Sequence, residues 1–281
     1  MSDLIFRERD GLSKKSLKLY ESNYRVLKNM NGVESDSWLT SSSEGHLLTL
    51  IHDNYENKNT QRTYLSLCIL IRKMNGRKTD LLVRDMERIK KANEVFKEEK
   101  KEELKRVLPS YEEVDAFVNK PTLDDVKFIV NHLLWNSCVR NQDLNMKIVE
   151  KEEDAVDTNM NYLIVMKTRC KIITNVFKTS FAYGQKSWIE TSRPFLKHAK
   201  SLLEKKQTYL LERKNKSAVD MSNIPYYLKK LLYEGLTETD YCKMRVTHIV
   251  NSGDKINEKL TVISYRRGTN VAMLMSDYLL S

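Results

Sequence analysis

Apolar positions recur every three or four residues through most of this chain, the spacing of helices that bury one face. After an irregular lead over 1–12, a helix is expected from Ser13 to Asn29, with Leu17, Tyr20, Tyr24 and Leu27 on one stripe. A short helix fits Ser43–Tyr55. A third runs from Asn59 to Met74, where Tyr64, Leu67, Cys68, Ile71 and Met74 share a face and Gly76 follows. Residues 78–106 form a long charged helical stretch ending in KEEKKEELKR, whose opposite charges four apart suit an exposed helix or linker. Pro109 ends it, because the residue before a proline is pushed out of helical geometry. The expected division is a helical domain over 1–105 and a second domain over 106–281.

The second half changes texture. After Pro121, Thr122 and Asp125 make a box-like cap, and Val126, Ile129, Val130, Leu133 and Leu134 give a core stripe. Strand-like segments follow at Asn161–Lys167, Lys171–Thr179 and Lys186–Glu190, the last two joined through Tyr183-Gly184; they predict a small antiparallel sheet. Ser192–Lys206, Pro225–Glu234, Thr239–Asn251 and Lys255–Tyr265 return to helical spacing. A terminal helix opens at Asn270 as N-cap and sets Val271, Leu274, Met275, Tyr278 and Leu279 at helical intervals. The fold class is mainly α with a small antiparallel β-sheet, a helical N-terminal domain preceding a mixed α+β one.

Charge narrows the partner. Lysine and arginine total 48 against 38 acidic residues, a net +10, which points to a polyanion and most often to nucleic acid. No apolar run approaches the ~20 residues a bilayer span needs, and MSDLIFRERDG lacks a secretory apolar region, so an intracellular setting is expected. Cys68, Cys138, Cys170 and Cys242 lie far apart without metal-ligand spacing and read as reduced thiols. Arg62 in NTQRTY, and Arg77 and Lys78 in NGRKTD, sit at helix ends that could meet a DNA backbone; solvated polar ends explain them equally well. Arg266 and Arg267 stand just before the terminal helix, where free N–H groups and the helix dipole favour an anion.

Four further positions are ordinary one by one. Arg140 in NSCVRNQDL follows a core helix and reads alone as a surface ion pair. Lys178 in NVFKTSFAYG reads as a loop lysine. Arg245 in YCKMRVTHIV falls among apolar positions, where a buried charge needs a partner. Tyr278 sits in the terminal helix nine residues beyond Thr269 and reads as core. Their order resembles the tyrosine recombinase (phage integrase-like) superfamily, whose catalytic fold is shared by type IB topoisomerases. LLWNSCVRNQDLNMK resembles its first-arginine segment, NVFKTSFAYG its β-hairpin lysine, MRVTHIVNSG its second-arginine helix, and RRGTNVAMLMSDY its segment ending in the nucleophilic tyrosine. Lys167, in MKT one strand earlier, competes with Lys178 for the lysine role.

The resemblance implies a core-binding domain, a catalytic domain, and site-specific cleavage and rejoining of double-stranded DNA. Tyr278 would attack phosphorus, Arg140 and Arg245 would clamp the nonbridging oxygens, and the lysine would protonate the departing 5′-oxygen. The product would be a 3′-phosphotyrosyl intermediate, formed without metal or other cofactor. It also implies a homo-oligomer on DNA, a dimer or a tetramer at synapsis, although the chain stops three residues after Tyr278, which argues against cyclic exchange of a tail. Two positions depart from the pattern: Cys242 stands where His or Lys is usual, and Thr269 where His or Trp is. His248, one turn beyond Arg245, would substitute in part if it faced the site. RGT in place of LGH, with the Lys/Asn-rich composition, looks more like recombinases of large DNA viruses or mobile elements, which would add the host nucleus or a virion to the possible settings. A type IB topoisomerase, or a DNA-binding protein that keeps the fold without turnover, are the alternatives.

Overall fold

The computed structural model describes residues 14–32 and 37–280; the irregular lead expected over 1–12 lies outside them. The chain divides into two units, Met1–Glu103 and Leu104–Ser281.

In the first unit, α1 (Lys14–Asn31), α2 (Trp38–Ser41), α3 (Glu44–Asn54), α4 (Lys58–Met74) and the start of α5 (Asp80–Val107) enclose one core. Its centre is α4, whose Tyr64, Leu65, Cys68 and Ile71 meet Leu27, Trp38, Leu47, Ile51 and Leu82. Burying each such side chain is worth about 1.5–3 kcal/mol. Arg72 joins this face although it is charged: its Nη1 donates to the carbonyls of Leu39 (3.1 Å) and Ser42 (2.6 Å), and its Nε to that of Lys78 (2.9 Å). The guanidinium thereby ties two loops to α4. Glu44 Oε2 accepts from the N–H groups of Leu81 and Leu82, satisfying the open first turn of α5.

The second unit opens with α6 (Tyr111–Val118), held by a Ser110–Glu113 capping box, and α7 (Asp125–Asn136). Asp124, not the expected Thr122 and Asp125, caps α7 by accepting from Lys127 N at 2.9 Å. Asp125 instead faces α9, where His198 and Ser201 reach it at 2.7 Å. A 3-10 turn, Asn141–Leu144, leads into β1 (Met146–Val149), β2 (Asn161–Val165) and β3 (Cys170–Thr174). After the short α8 (Ser180–Tyr183) comes β4 (Lys186–Glu190), and then α9 (Arg193–Glu204), α10 (Ile224–Leu231), α11 (Glu238–Ser252), α12 (Ile256–Arg267) and α13 (Val271–Tyr278).

The four strands lie in the order β1-β2-β3-β4. The three expected strands pair antiparallel, but β1 joins parallel to β2 and makes the sheet mixed. The chain is thus mainly helical with one small sheet. Strand β3 ends at Thr174, earlier than the expected Thr179. Buried Asn161 explains the stop: its Oδ1 accepts from the N–H groups of Asn175 and Val176, and its Nδ2 donates to the carbonyls of Asp143 and Val176. One amide therefore holds the segment after β3 against the turn after α7. Helix α12 also runs two residues further than expected, so Arg266 and Arg267 are its last residues and not a turn before α13. No helix among the described residues is long and apolar enough to cross a membrane.

Candidate active site

Tyr278 ends α13, half-buried against the cluster formed by Cys138, Cys242, Val246, Leu260, Ile263 and Leu274. Its hydroxyl accepts a hydrogen bond from Arg267 Nη2 at 2.8 Å, and Arg267 Cζ lies 4.5 Å from the centre of its ring. Arg267 is 2% exposed. Its Nη1 donates to the Cys138 carbonyl at 2.7 Å and is ion-paired with Glu238 Oε1 at 2.6 Å. Burial opposes the charge, yet Cys242, Glu238 and Tyr278 outweigh it and raise the guanidinium's pKa above its ordinary value. Cys138 presents its carbonyl from a left-handed backbone, φ 49°, a strained conformation for a residue with a side chain. Gly268 makes the turn out of α12 at φ 66°; a Cβ there would meet the Phe177 ring at 2.7 Å. Thr179 Oγ1 donates to the Gly268 carbonyl at 2.6 Å, so the chain segment carrying Lys178 is fastened beside Arg267.

Under this layer lies a second group of charges. Asp143 is fully buried; its Oδ2 accepts from Arg140 N at 3.2 Å, and burial pushes its carboxyl up to about 6 despite Lys186, Arg140 and Arg267 nearby. Lys186, 1% exposed, donates to the Arg266 carbonyl at 2.8 Å and lies 3.7 Å above the centre of the Phe177 ring. Burial brings its ammonium down to about 8, with Asp143 pulling the other way and Arg140 and Arg267 adding to the fall. In the sequence Lys186 reads only as the start of a strand, and nothing local to it shows its place among these charges. The signal that could have found its burial is the alternation of β4, which puts Lys186 on the same buried face as Trp188.

Arg245 lies on α11. Its Nη1 donates to the Tyr111 hydroxyl, and its charge reaches the Cys138 thiol. Tyr111 stacks on His248 at 3.6 Å between ring centres, and both line a pocket with Met244, Thr247 and Leu280. Leu280 N donates to Thr247 Oγ1, which fastens the end of α13 to α11. Cys242 is fully buried, and burial with Cys138 alongside holds its thiol far above the ordinary range, so it supplies neither the charge nor the base of a histidine. Thr269 is half-buried and its backbone N–H closes the end of α12 on Ser264.

Arg140 Nη1, Arg245 Nε and Arg267 Nε are all buried and without a hydrogen-bond partner. Buried donors on permanent cations are costly unless an acceptor completes them; an oxyanion could complete those of the half-buried Arg140 and Arg245, whereas Arg267 is closed off from solvent. Arg140, Arg267 and Lys186 bring net positive charge to one neighbourhood, and the Tyr278 hydroxyl is part of it.

The other sequence-selected residues fall elsewhere or in different roles. Lys178 is exposed on the turn before α8. Lys167 is exposed on the β2–β3 turn, and its carbonyl accepts from Lys200 on α9. Arg62, Arg77 and Lys78 are exposed in the first unit. Arg266 and Arg267, expected as DNA-backbone contacts, turn inward: Arg266 donates to Ser137 Oγ and stands over Trp188, and Arg267 holds Tyr278. What changes is their place in the fold: α12 continues through both residues, so they close that helix instead of forming a turn before α13. Among the described residues no group of three or more histidine, cysteine, aspartate or glutamate side chains gathers as for a metal ion.

No protein-family model matches this chain, and no curated protein matches it. Among solved structures, the crystal structure of XerA recombinase is similar to it at 14% sequence identity and a TM-score of 0.41, over 96% of this chain and 88% of that one. A likeness that loose carries no argument about chemistry, which has to come from the side chains.

Proposed function

We propose that this protein is a DNA strand-cleaving and rejoining enzyme of the tyrosine recombinase type, acting at specific sites through a 3′-phosphotyrosyl intermediate. One observation carries the reading: the Tyr278 hydroxyl is held at 2.8 Å by a buried arginine, in a site where Arg140 and Arg245, both half-buried, keep unpartnered donors. Tyr278 attacks phosphorus, and Arg140 and Arg245 take the nonbridging oxygens, where developing charge is stabilised by fixed cations. Lys178 protonates the leaving 5′-oxygen. Its neighbours Phe177 and Thr179 close on Gly268, the residue after Arg267, which favours it over Lys167. The partner is double-stranded DNA, bound mainly through phosphates by the basic chain. The first unit serves as the core-binding domain and the second as the catalytic one.

Covalent trapping tests this. Wild type, mixed with supercoiled and nicked DNA and quenched with detergent, is expected to yield protein-linked DNA, and Tyr278→Phe none. Relaxation of a plasmid of arbitrary sequence by the monomer would turn the reading towards a topoisomerase. Tight binding with no adduct on any DNA would turn it towards a DNA-binding protein without turnover.

A further inference from the structure

Cys242 and Thr269 stand where the recombinase resemblance implies a histidine, and neither a thiol held neutral nor a hydroxyl brings a positive charge. The structure puts a different cation there. Arg267 comes from beneath, from the last turn of α12, and makes three kinds of contact at once. Nη2 donates to the Tyr278 hydroxyl at 2.8 Å, the guanidinium lies 4.5 Å from the centre of the same ring, and Nη1 is locked by the Cys138 carbonyl at 2.7 Å and by Glu238 at 2.6 Å. The guanidinium fork is planar and fixed by the last two partners, so its free edge has one direction in which to hold the phenol.

We propose that Arg267 is a positioning residue for the nucleophile: it aims the Tyr278 oxygen and stabilises it as the phenol proton leaves, in place of the absent histidines. This rests on the reading of Tyr278 as nucleophile given above. In the step it supports, the Tyr278 Oη–P bond forms, the P–O5′ bond breaks, the phenol proton passes to solvent and a proton from the lysine completes the 5′-hydroxyl. Arg267 itself neither gains nor loses a proton. At 2% exposure it is not a groove or backbone contact, so its loss acts on chemistry and not on DNA affinity.

The geometry explains why arginine and not lysine occupies the position. A lysine ammonium carries three donors from one atom, whereas Arg267 spans the Cys138 carbonyl, Glu238 and Tyr278 from two nitrogens of one plane. Its neighbour Gly268, left-handed and pressed on Phe177, fixes the end of the helix from which it projects.

The test separates rate from affinity. Wild type, Arg267→Lys and the double variant Arg267→Met/Glu238→Met, which avoids stranding a buried carboxylate, are compared on one nicked duplex. For each, the thermal midpoint, the Kd for DNA and the single-turnover rate of adduct formation at saturating DNA are measured. Expected is a Kd within about twofold of wild type in both variants and an adduct rate down roughly 10²-fold in Arg267→Lys and further in the double variant. An unchanged rate overturns the proposal. So does a weakened Kd with unchanged rate at saturation, which makes Arg267 a DNA contact, or failure of both variants to fold, which makes it a core strut alone. If wild type itself forms no adduct, the fault lies with the reading of Tyr278, and that control is read first.

Discussion

At the scale of single residues, the second unit is unusual for the cations it buries. Lys186 is the clearest case, because a lysine taken from water this completely persists only where the surroundings are fixed. Asp143 and the Arg266 carbonyl face it, with Arg140 and Arg267 opposing. Its pKa is lowered to about 8 from the ordinary 10.5, so between those values the unfolded chain holds a proton that the native one does not. Stability therefore rises with pH through that window, and the cost of burying the charge is fully present below it. The unfolding free energy of wild type, measured by urea denaturation relative to Lys186→Met, should climb by on the order of 1–3 kcal/mol from pH 7 to 10. A difference that stays flat with pH would show that the native ammonium titrates like any surface lysine.

At the scale of elements, the site depends on how α12 hands over to α13. Gly268 is left-handed there, and Thr179 and Phe177 close on it from the segment after β3. Gly268→Ala should cost about 1–3 kcal/mol, part from the backbone and part from the Phe177 ring. Adding Phe177→Leu removes the ring atoms that the new Cβ meets and should recover the second part, read as a partial return of the thermal midpoint; no recovery would place the whole cost in the backbone. The helices were legible because their apolar spacing is a local property, and α3, α4 and α9 sit within a residue or two of where that spacing puts them. Strand β1, four residues long and set in polar sequence, gives no comparable signal; its partner β2 supplies the reason it is a strand. The inward turn of Arg267 was not legible either. RRGT reads as a basic turn at a helix start, and only contacts with Cys138, 129 positions away, make it the buried end of the preceding helix. Lys186 was hidden likewise, its hydrogen bond to Arg266 spanning 80 positions.

At the scale of the whole molecule, the net charge of +10 is the feature most directly tied to a DNA partner. Binding to duplex should weaken steeply with salt, as neutralised phosphates release counterions, and each phosphate contact removed should flatten the logarithmic slope by about 0.9. Arg62→Gln and Arg77→Gln are expected to flatten it by that amount each, in fluorescence titrations over a salt series. An unchanged slope would mean that these exposed arginines stand clear of the DNA. The order Arg140, Lys178, Arg245, Tyr278 was visible in the sequence as spacing, but spacing does not say what completes their donors. The structure adds the buried, unpartnered donors of Arg140 and Arg245, on which the proposed phosphate clamp rests.

The identity of the DNA-linked residue tests the proposed pairing of a phosphate clamp with the Tyr278 phenol. Adduct trapped on nicked duplex is digested with nuclease and protease, and the peptide that keeps a nucleotide is sequenced by mass spectrometry. A single modified peptide from α13, with a phosphoryl-linked nucleotide on Tyr278, is expected. A nucleotide on any other residue, or a DNA-bound protein that never yields such a peptide, would contradict it.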